Sequence, residues 1–257
     1  MPSTTDHRVR IVSRKIDTLL LLPKKKRALH AAVQELLQNS KVQGVGVYGS
    51  TTRGVSDPRD IDLIVLVPGN ENWTRRRFYD GLSIHIQLRG IKRFREMNLT
   101  RRQLRSEHTQ AYAYLRSLWD STGLITAVRA RARHQQAHGP KPVSKWEVGR
   151  LRAEVTTLLE DLEKAASDPT LFTLLGAPTL ARYIAIHFRL RGQWVPREKD
   201  LLDALTATDK RLAARYRKAL SLLHDPTACL KVTHPLAAEV LAPVGGQVKD
   251  FEVWYRK

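Results

Sequence analysis

The sequence predicts an α/β (α+β) N-terminal domain with a small mixed sheet, followed by an all-α helical-bundle C-terminal domain. Three observations lead there. Between residues 44 and 90, short apolar runs are separated by turn-forming residues, as strands in a sheet are. From about residue 100 the apolar positions recur at helical spacing instead. Finally, "RARARHQQAHGPKPVSKW" mixes basic residues, His, Gly and two prolines, the composition of a connection between domains. The expected division is an N-terminal domain over 1–133 with its core at 24–125, a linker at 134–144, and a helical domain over 145–257.

The elements follow in chain order. "KKKRALHAAVQELLQ" places Leu29, Val33, Leu36 and Leu37 on one helical stripe, and "VQGVGVY" after it is a short strand. "DLIVLV" is a buried strand. Residues 68–81 are expected to be a polar, arginine-bearing connection that ends in the turn signal Asp80-Gly81. "LSIHIQL" then alternates apolar and polar at period two, so the sheet domain is expected to hold three strands and a helix. "TRRQLRSEHTQAYAYLRSLWDSTG" is expected to be helical and to stop at Gly123. "EVGRLRAEVTTLLEDLEKAASD", "TLARYIAIHFRLRG" and "VPREKDLLDALTATDKRLAARYRKALSLLHD" supply the later helices. Residues 230–257 carry no clean period, and "FEVWY" there is either a closing strand or a packed tail.

Composition bounds the function. At 257 residues and 42% hydrophobic content the chain can bury a core in each of two domains. "TLLLLP" is too short for a bilayer span, and the chain is expected to be cytoplasmic with no membrane partner. A single cysteine, Cys229, suits that compartment and excludes a disulfide framework or a thiolate zinc site. Residues 1–150 hold 28 basic and 12 acidic side chains, and residues 151–257 hold 16 and 13, so most of the net charge of +19 lies in the first part. A positive half-molecule favours a polyanion, nucleic acid above all, through counterion release and steering. A plain solvated basic surface is the other reading of the same numbers.

The most informative stretch is "VYGSTTRGVSDPRDIDLIVLV", residues 47–67. Asp60 and Asp62 stand one residue apart where a buried strand begins, so their carboxylates share a face and repel one another. A hard cation relieves that repulsion, and oxygen ligands suit Mg2+ or Mn2+. Ahead of them, Gly49-Ser50 closes the previous strand.

Gly49-Ser50, a spacer, and then Asp60-Ile61-Asp62 leading an apolar strand resemble the signature of the DNA polymerase beta-like nucleotidyltransferases. Within that superfamily the chain looks most like the kanamycin nucleotidyltransferase-like, antibiotic-type branch, through "LWDSTG", which resembles a strand-like element there, "TTLLEDLEKA", which resembles the first helix of the second domain, and "RGQWVPREKDLLDAL". The likeness is clear over residues 44–90 and thin elsewhere. It implies an enzyme that binds an NTP such as ATP and transfers NMP to an acceptor hydroxyl, with Asp60 and Asp62 holding the metal. Gly49 and Ser50 then approach phosphate oxygens, because glycine has no Cβ in the way. Arg53 either neutralises the triphosphate or is a solvated loop residue.

One position departs from the family pattern. Where the family carries a third carboxylate on its next strand, this chain has His85 within Ile84-His85-Ile86. Imidazole is neutral and softer than carboxylate, so His85 is a neighbour of the metal, a general base near neutral pH, or an ordinary strand histidine. In the kanamycin-type branch the base comes from the first helix of the second domain, with a lysine one turn later on the nucleotide. That resemblance assigns Glu160 as base and Lys164 as nucleotide contact. The charge favours RNA, a tRNA end or another polyanion as acceptor. Two alternatives stand beside it: an aminoglycoside- or lincosamide-type antibiotic as acceptor, and a catalytically weakened nucleotide- or nucleic-acid-binding protein of a defence or toxin-antitoxin system.

Overall fold

The structure is a computed structural model that describes residues 4–96 and 107–247. It divides into two compact units. One comprises the described residues up to Glu96 together with His108–His138, and the other comprises Glu107 and the described residues from Gly139 onward. In the first, α1 (Thr4–Asp17) and α2 (Pro23–Leu37) precede β1 (Gly44–Tyr48). Then come β2 (Asp60–Val67), β3 (Asn72–Tyr79), β4 (Leu82–Gly90), α3 (Ile91–Glu96), α4 (Glu107–Ala113), β5 (Arg116–Asp120) and α5 (Leu124–Ala137). The strands form one sheet in the order β3-β4-β2-β1-β5. β2 and β4 run parallel and every other neighbouring pair is antiparallel, which makes the sheet mixed.

Five strands replace the three expected, and both additions are sheet edges. Residues 72–79, expected within a connection, form β3 and pair with β4 through a hairpin at Asp80-Gly81. Both turn residues have positive φ, 49° and 78°, as a two-residue turn between right-twisted strands requires. β3 hides from pattern reading because it is an exposed edge with little apolar alternation. Its arginines pack on neighbouring rings, Arg75 over Trp73 and Arg76 over Phe78, an edge of the charged kind that resists further pairing.

Residues 116–120, helical by the period of their sequence although "LWDSTG" resembles a strand-like element, form β5 on the far side of β1. Leu115 and Leu118 imitate a helical i, i+3 pair, but five residues are too few to separate the two periods. Gly123, expected to stop a helix, has φ 69° and instead caps the start of α5. That helix continues to Ala137, so the first four residues of the expected 134–144 connection are helical.

β2 explains why its run is apolar throughout: it is buried on both faces, as a central strand with a parallel neighbour is. Ile61, Leu63 and Val65 join Val45, Val47, Ile84 and Ile86 in a core with Ile16, Leu29 and Val33 of the first two helices. Ile64 and Leu66 face the other way, into a second core with Phe94, Tyr112, Ile125 and Val128.

The second unit is helical: α6 (Lys145–Lys164), α7 (Pro169–Leu190), α8 (Leu201–Thr208), α9 (Lys210–Ser221) and α10 (Pro226–Leu241). Ser144, Asp168, Asp209 and Asp225 each accept a backbone N–H at the start of α6, α7, α9 and α10, which satisfies donors that the helices leave open. Leu151, Val155, Phe172, Tyr183, Tyr216 and Leu236 meet in its core. α7 has the length and hydropathy of a membrane span, and over half of that stretch is buried inside the unit. Residues 230–241, hard to read in sequence, belong to α10 despite Pro235 within the helix. The "FEVWY" segment lies outside the described residues.

Candidate functional site

The site is built on alternation and pairing. Ile61 and Leu63 are fully buried on one face of β2, so Asp60 and Asp62 emerge on the other. Parallel pairing sets Ser83 beside Asp60 and His85 beside Asp62, and antiparallel pairing sets Tyr48 on the opposite flank of Asp62. His85 Nδ1 lies 3.5 Å from Asp62 Oδ1 and 3.9 Å from Asp60 Oδ2. The side chains of Asp60, Asp62 and His85 are 44%, 28% and 34% exposed, so a solute can reach all three.

The loop before β2 is anchored rather than loose. Lys25 of α2 donates to the Pro58 carbonyl and pairs with the Asp57 carboxylate, and the Leu22 amide donates to Ser56 O at 3.1 Å. Those contacts bring the chain into β2 at a defined point.

Gly49 is required for two reasons. Its φ of 80° is left-handed, and a Cβ there would stand 2.6 Å from Asp62 Oδ2. The backbone of the turn therefore runs directly against the second carboxylate. Ser50 follows within a 3-10 turn over Gly49–Arg53, closed by Gly54 at φ 90°, whose N–H donates to Ser50 O. Thr52 Oγ1 donates to Gly49 O at 3.1 Å. Arg53 ends the turn exposed to solvent.

Three residues that the sequence reading did not single out share this face. Arg76 of β3 is paired with His85, and its Nε donates to Ser83 Oγ at 2.8 Å, which sets a guanidinium one strand beyond the histidine. Tyr48 packs edge-to-face on Tyr112 at 5.9 Å. Burial, then the Asp62 charge beside it, hold the Tyr48 phenol protonated far above its ordinary range. Arg89 opposes that shift and hydrogen-bonds Asn72 and, at 3.1 Å, Gln87. Strand alternation singles out Arg76 from the "RRR" run. The polar composition around that run, which predicts a connection, hides the alternation.

The remaining predicted residues, Glu160 and Lys164, belong to the second unit. Both are exposed on α6. Lys164 Nζ lies 3.9 Å from Asp161. The better-anchored acid on that helix is Glu154, bonded by Arg150 at 3.0 Å and Arg182 at 2.9 Å. Burial pushes the Glu154 pKa up, but the hydrogen bonds and charges of Arg182 and Arg150 prevail and hold it below the usual carboxylate range.

Among the described residues, no group of three or more His, Cys, Asp or Glu side chains is arranged to hold a metal ion. The donor chemistry of Asp60 and Asp62 nonetheless fits a hard divalent cation. Two carboxylates on one accessible face repel each other, and a divalent cation between them relieves that repulsion.

No family model matches the chain, and no curated protein matches it. Among solved structures it is similar to a nucleotidyltransferase-like protein from Exiguobacterium sibiricum 255-15, at 13% identity and a TM-score of 0.45 over 84% of this chain and 76% of that one.

Proposed function

We propose that the chain is a nucleotidyltransferase that moves NMP from an NTP to an acceptor hydroxyl: the hydroxyl oxygen bonds to the α-phosphorus, its proton passes to a base, and the α–β phosphoanhydride bond breaks to release pyrophosphate. The observation that carries this reading is the carboxylate pair Asp60 and Asp62 on one open face of β2, with the Gly49 backbone against Asp62. Asp60 and Asp62 would hold Mg2+ or Mn2+. Such an ion, when bound, neutralises charge on the phosphates and acidifies the attacking hydroxyl. The Gly49-Ser50 turn admits phosphate oxygens close to the backbone, and Arg53 and Arg76 supply positive charge for the triphosphate. Tyr48, held protonated, can donate a hydrogen bond but cannot act as base. The base is then Glu160, as the kanamycin-type resemblance implies, with Lys164 on the nucleotide.

The acceptor that fits best is RNA, a tRNA end or another polyanion, since residues 1–150 carry 28 basic side chains against 12 acidic. A cationic antibiotic calls for a pocket rich in carboxylates, which that composition does not favour. A second reading has its own support. His85 stands where a third acid is expected, 3.5 Å from Asp62, which suits a nucleotide-binding protein with weakened chemistry. Incubation of the purified chain with each α-labelled NTP, Mg2+ or Mn2+, and either total RNA or a panel of small molecules tests both. Label in RNA supports the proposal, label in a small molecule moves the acceptor, and nucleotide binding without any transfer leaves the second reading.

A further inference from the structure

At the β5 edge of the sheet, two strands from β2, a pocket of about 260 Å³ is lined by Lys15 and Thr18 of α1, Arg116, Ser117 and Leu118 of β5, and Arg129 of α5. Three cations from three elements thus converge on one concavity. Arg116 Nη2 donates to Thr18 Oγ1 at 3.2 Å, which fixes that guanidinium at the rim. Among the described residues, no carboxylate lies within ion-pair distance of Lys15, Arg116 or Arg129. Ser117 lines the pocket beside Arg116, while its hydroxyl is buried within the protein and is not a contact for a solute there. Burial, then the charges of Arg133 and Arg116, pull the Arg129 pKa down, as crowding of like charges does.

We propose that this pocket is a phosphate site that grips a backbone phosphodiester of single-stranded nucleic acid. Guanidinium pairs and hydroxyls are the groups that recognise phosphate oxygens, and an anion here relieves the repulsion among the three cations. The pocket flanks the edge strand β5, beside which a polynucleotide can pass, and Arg8 stacked on Trp119 at 5.6 Å extends the basic surface along β5. The proposal deepens the acceptor half of the proposed function and rests on that reading for the kind of polyanion. It does not need the carboxylate site to be active.

The test is binding of a fluorescent single-stranded RNA oligonucleotide to the full chain, without NTP or divalent cation, over a range of salt. Replacing Arg116 and Arg129 together, as R116Q/R129Q, should weaken binding roughly tenfold at low salt and lower the slope of log K against log salt by about 0.7 for each lost phosphate contact. Removing two exposed α9 cations instead, as K210Q/R211Q, should leave most of the affinity. Circular dichroism confirms that the variants fold. Equal losses in the two pairs, or no loss in the first, overturn the site. If R116Q/R129Q weakens inorganic pyrophosphate and not the oligonucleotide, the pocket serves a free phosphate compound and the assignment is wrong. An Asp62→Asn chain that transfers nothing yet keeps oligonucleotide binding separates this site from the catalytic reading.

Discussion

Gly49 and Asp62 are in backbone-to-carboxylate contact, so close that a methyl group on Gly49 would stand 2.6 Å from Asp62 Oδ2. The contact joins the two halves of the sequence motif in space, although twelve residues separate them in the chain. Gly49→Ala must both enter the left-handed region and displace the carboxylate. It should cost on the order of 1–3 kcal/mol of stability and lower transfer at least tenfold. Thermal unfolding and label transfer read the two effects; an alanine variant with normal transfer removes the turn from the site.

Asp60→Asn and Asp62→Asn keep size and remove charge. Each should lower transfer by orders of magnitude while stability stays level or improves, because the partners repel one another on a half-exposed face. Near-normal transfer by Asp62→Asn would sink the metal assignment.

His85 separates three cases. If it stands beside the metal, His85→Asp completes a set of three acids, tightens Mg2+ binding and keeps or raises transfer. If it is the base, the same change lowers the rate and alters its pH profile, while Glu160→Gln matters little. If it is an ordinary strand residue, neither His85→Asp nor His85→Ala moves affinity or rate. The expected result is the first, with Glu160→Gln slowing transfer.

His187 makes the stability of the helical unit depend on pH. Burial, then the charge of Arg191, pull its pKa from 6.5 to about 4, against a smaller opposing effect of Asp209. The folded chain therefore holds His187 neutral where the unfolded chain takes up a proton. Stability associated with His187 is present above pH 6.5 and is lost as pH falls toward 4, a change on the order of 1–2 kcal/mol after solvent screening. Urea unfolding of the wild type and His187→Phe at pH 7, 5.5 and 4.5 checks this, the variant losing less stability over that range.

Replacing Arg76 tests a residue that the β3–β4 pairing sets beside His85. Arg76→Gln should raise the KM for NTP several-fold with a smaller change in kcat, since it removes charge for the triphosphate but leaves Asp60 and Asp62 untouched. An unchanged KM returns Arg76 to a merely structural role beside Ser83.

By itself the sequence determined whatever depends on neighbours along the chain. Strand alternation put Asp60 and Asp62 on one face, Asp80-Gly81 marked a turn, and helical stripes marked α2 and the later helices. Tertiary structure decided everything carried by pairing. β3 and β5 are edges whose partners supply the order their own short or charged sequences do not signal. Only the register of β4 on β2 brings His85 to Asp62, only β3 brings Arg76 to His85, and only the fold gathers Lys15, Arg116 and Arg129 at one edge. The physical reason is range: backbone alternation acts between adjacent residues, whereas sheet register and charge convergence are set by contacts between segments tens of residues apart.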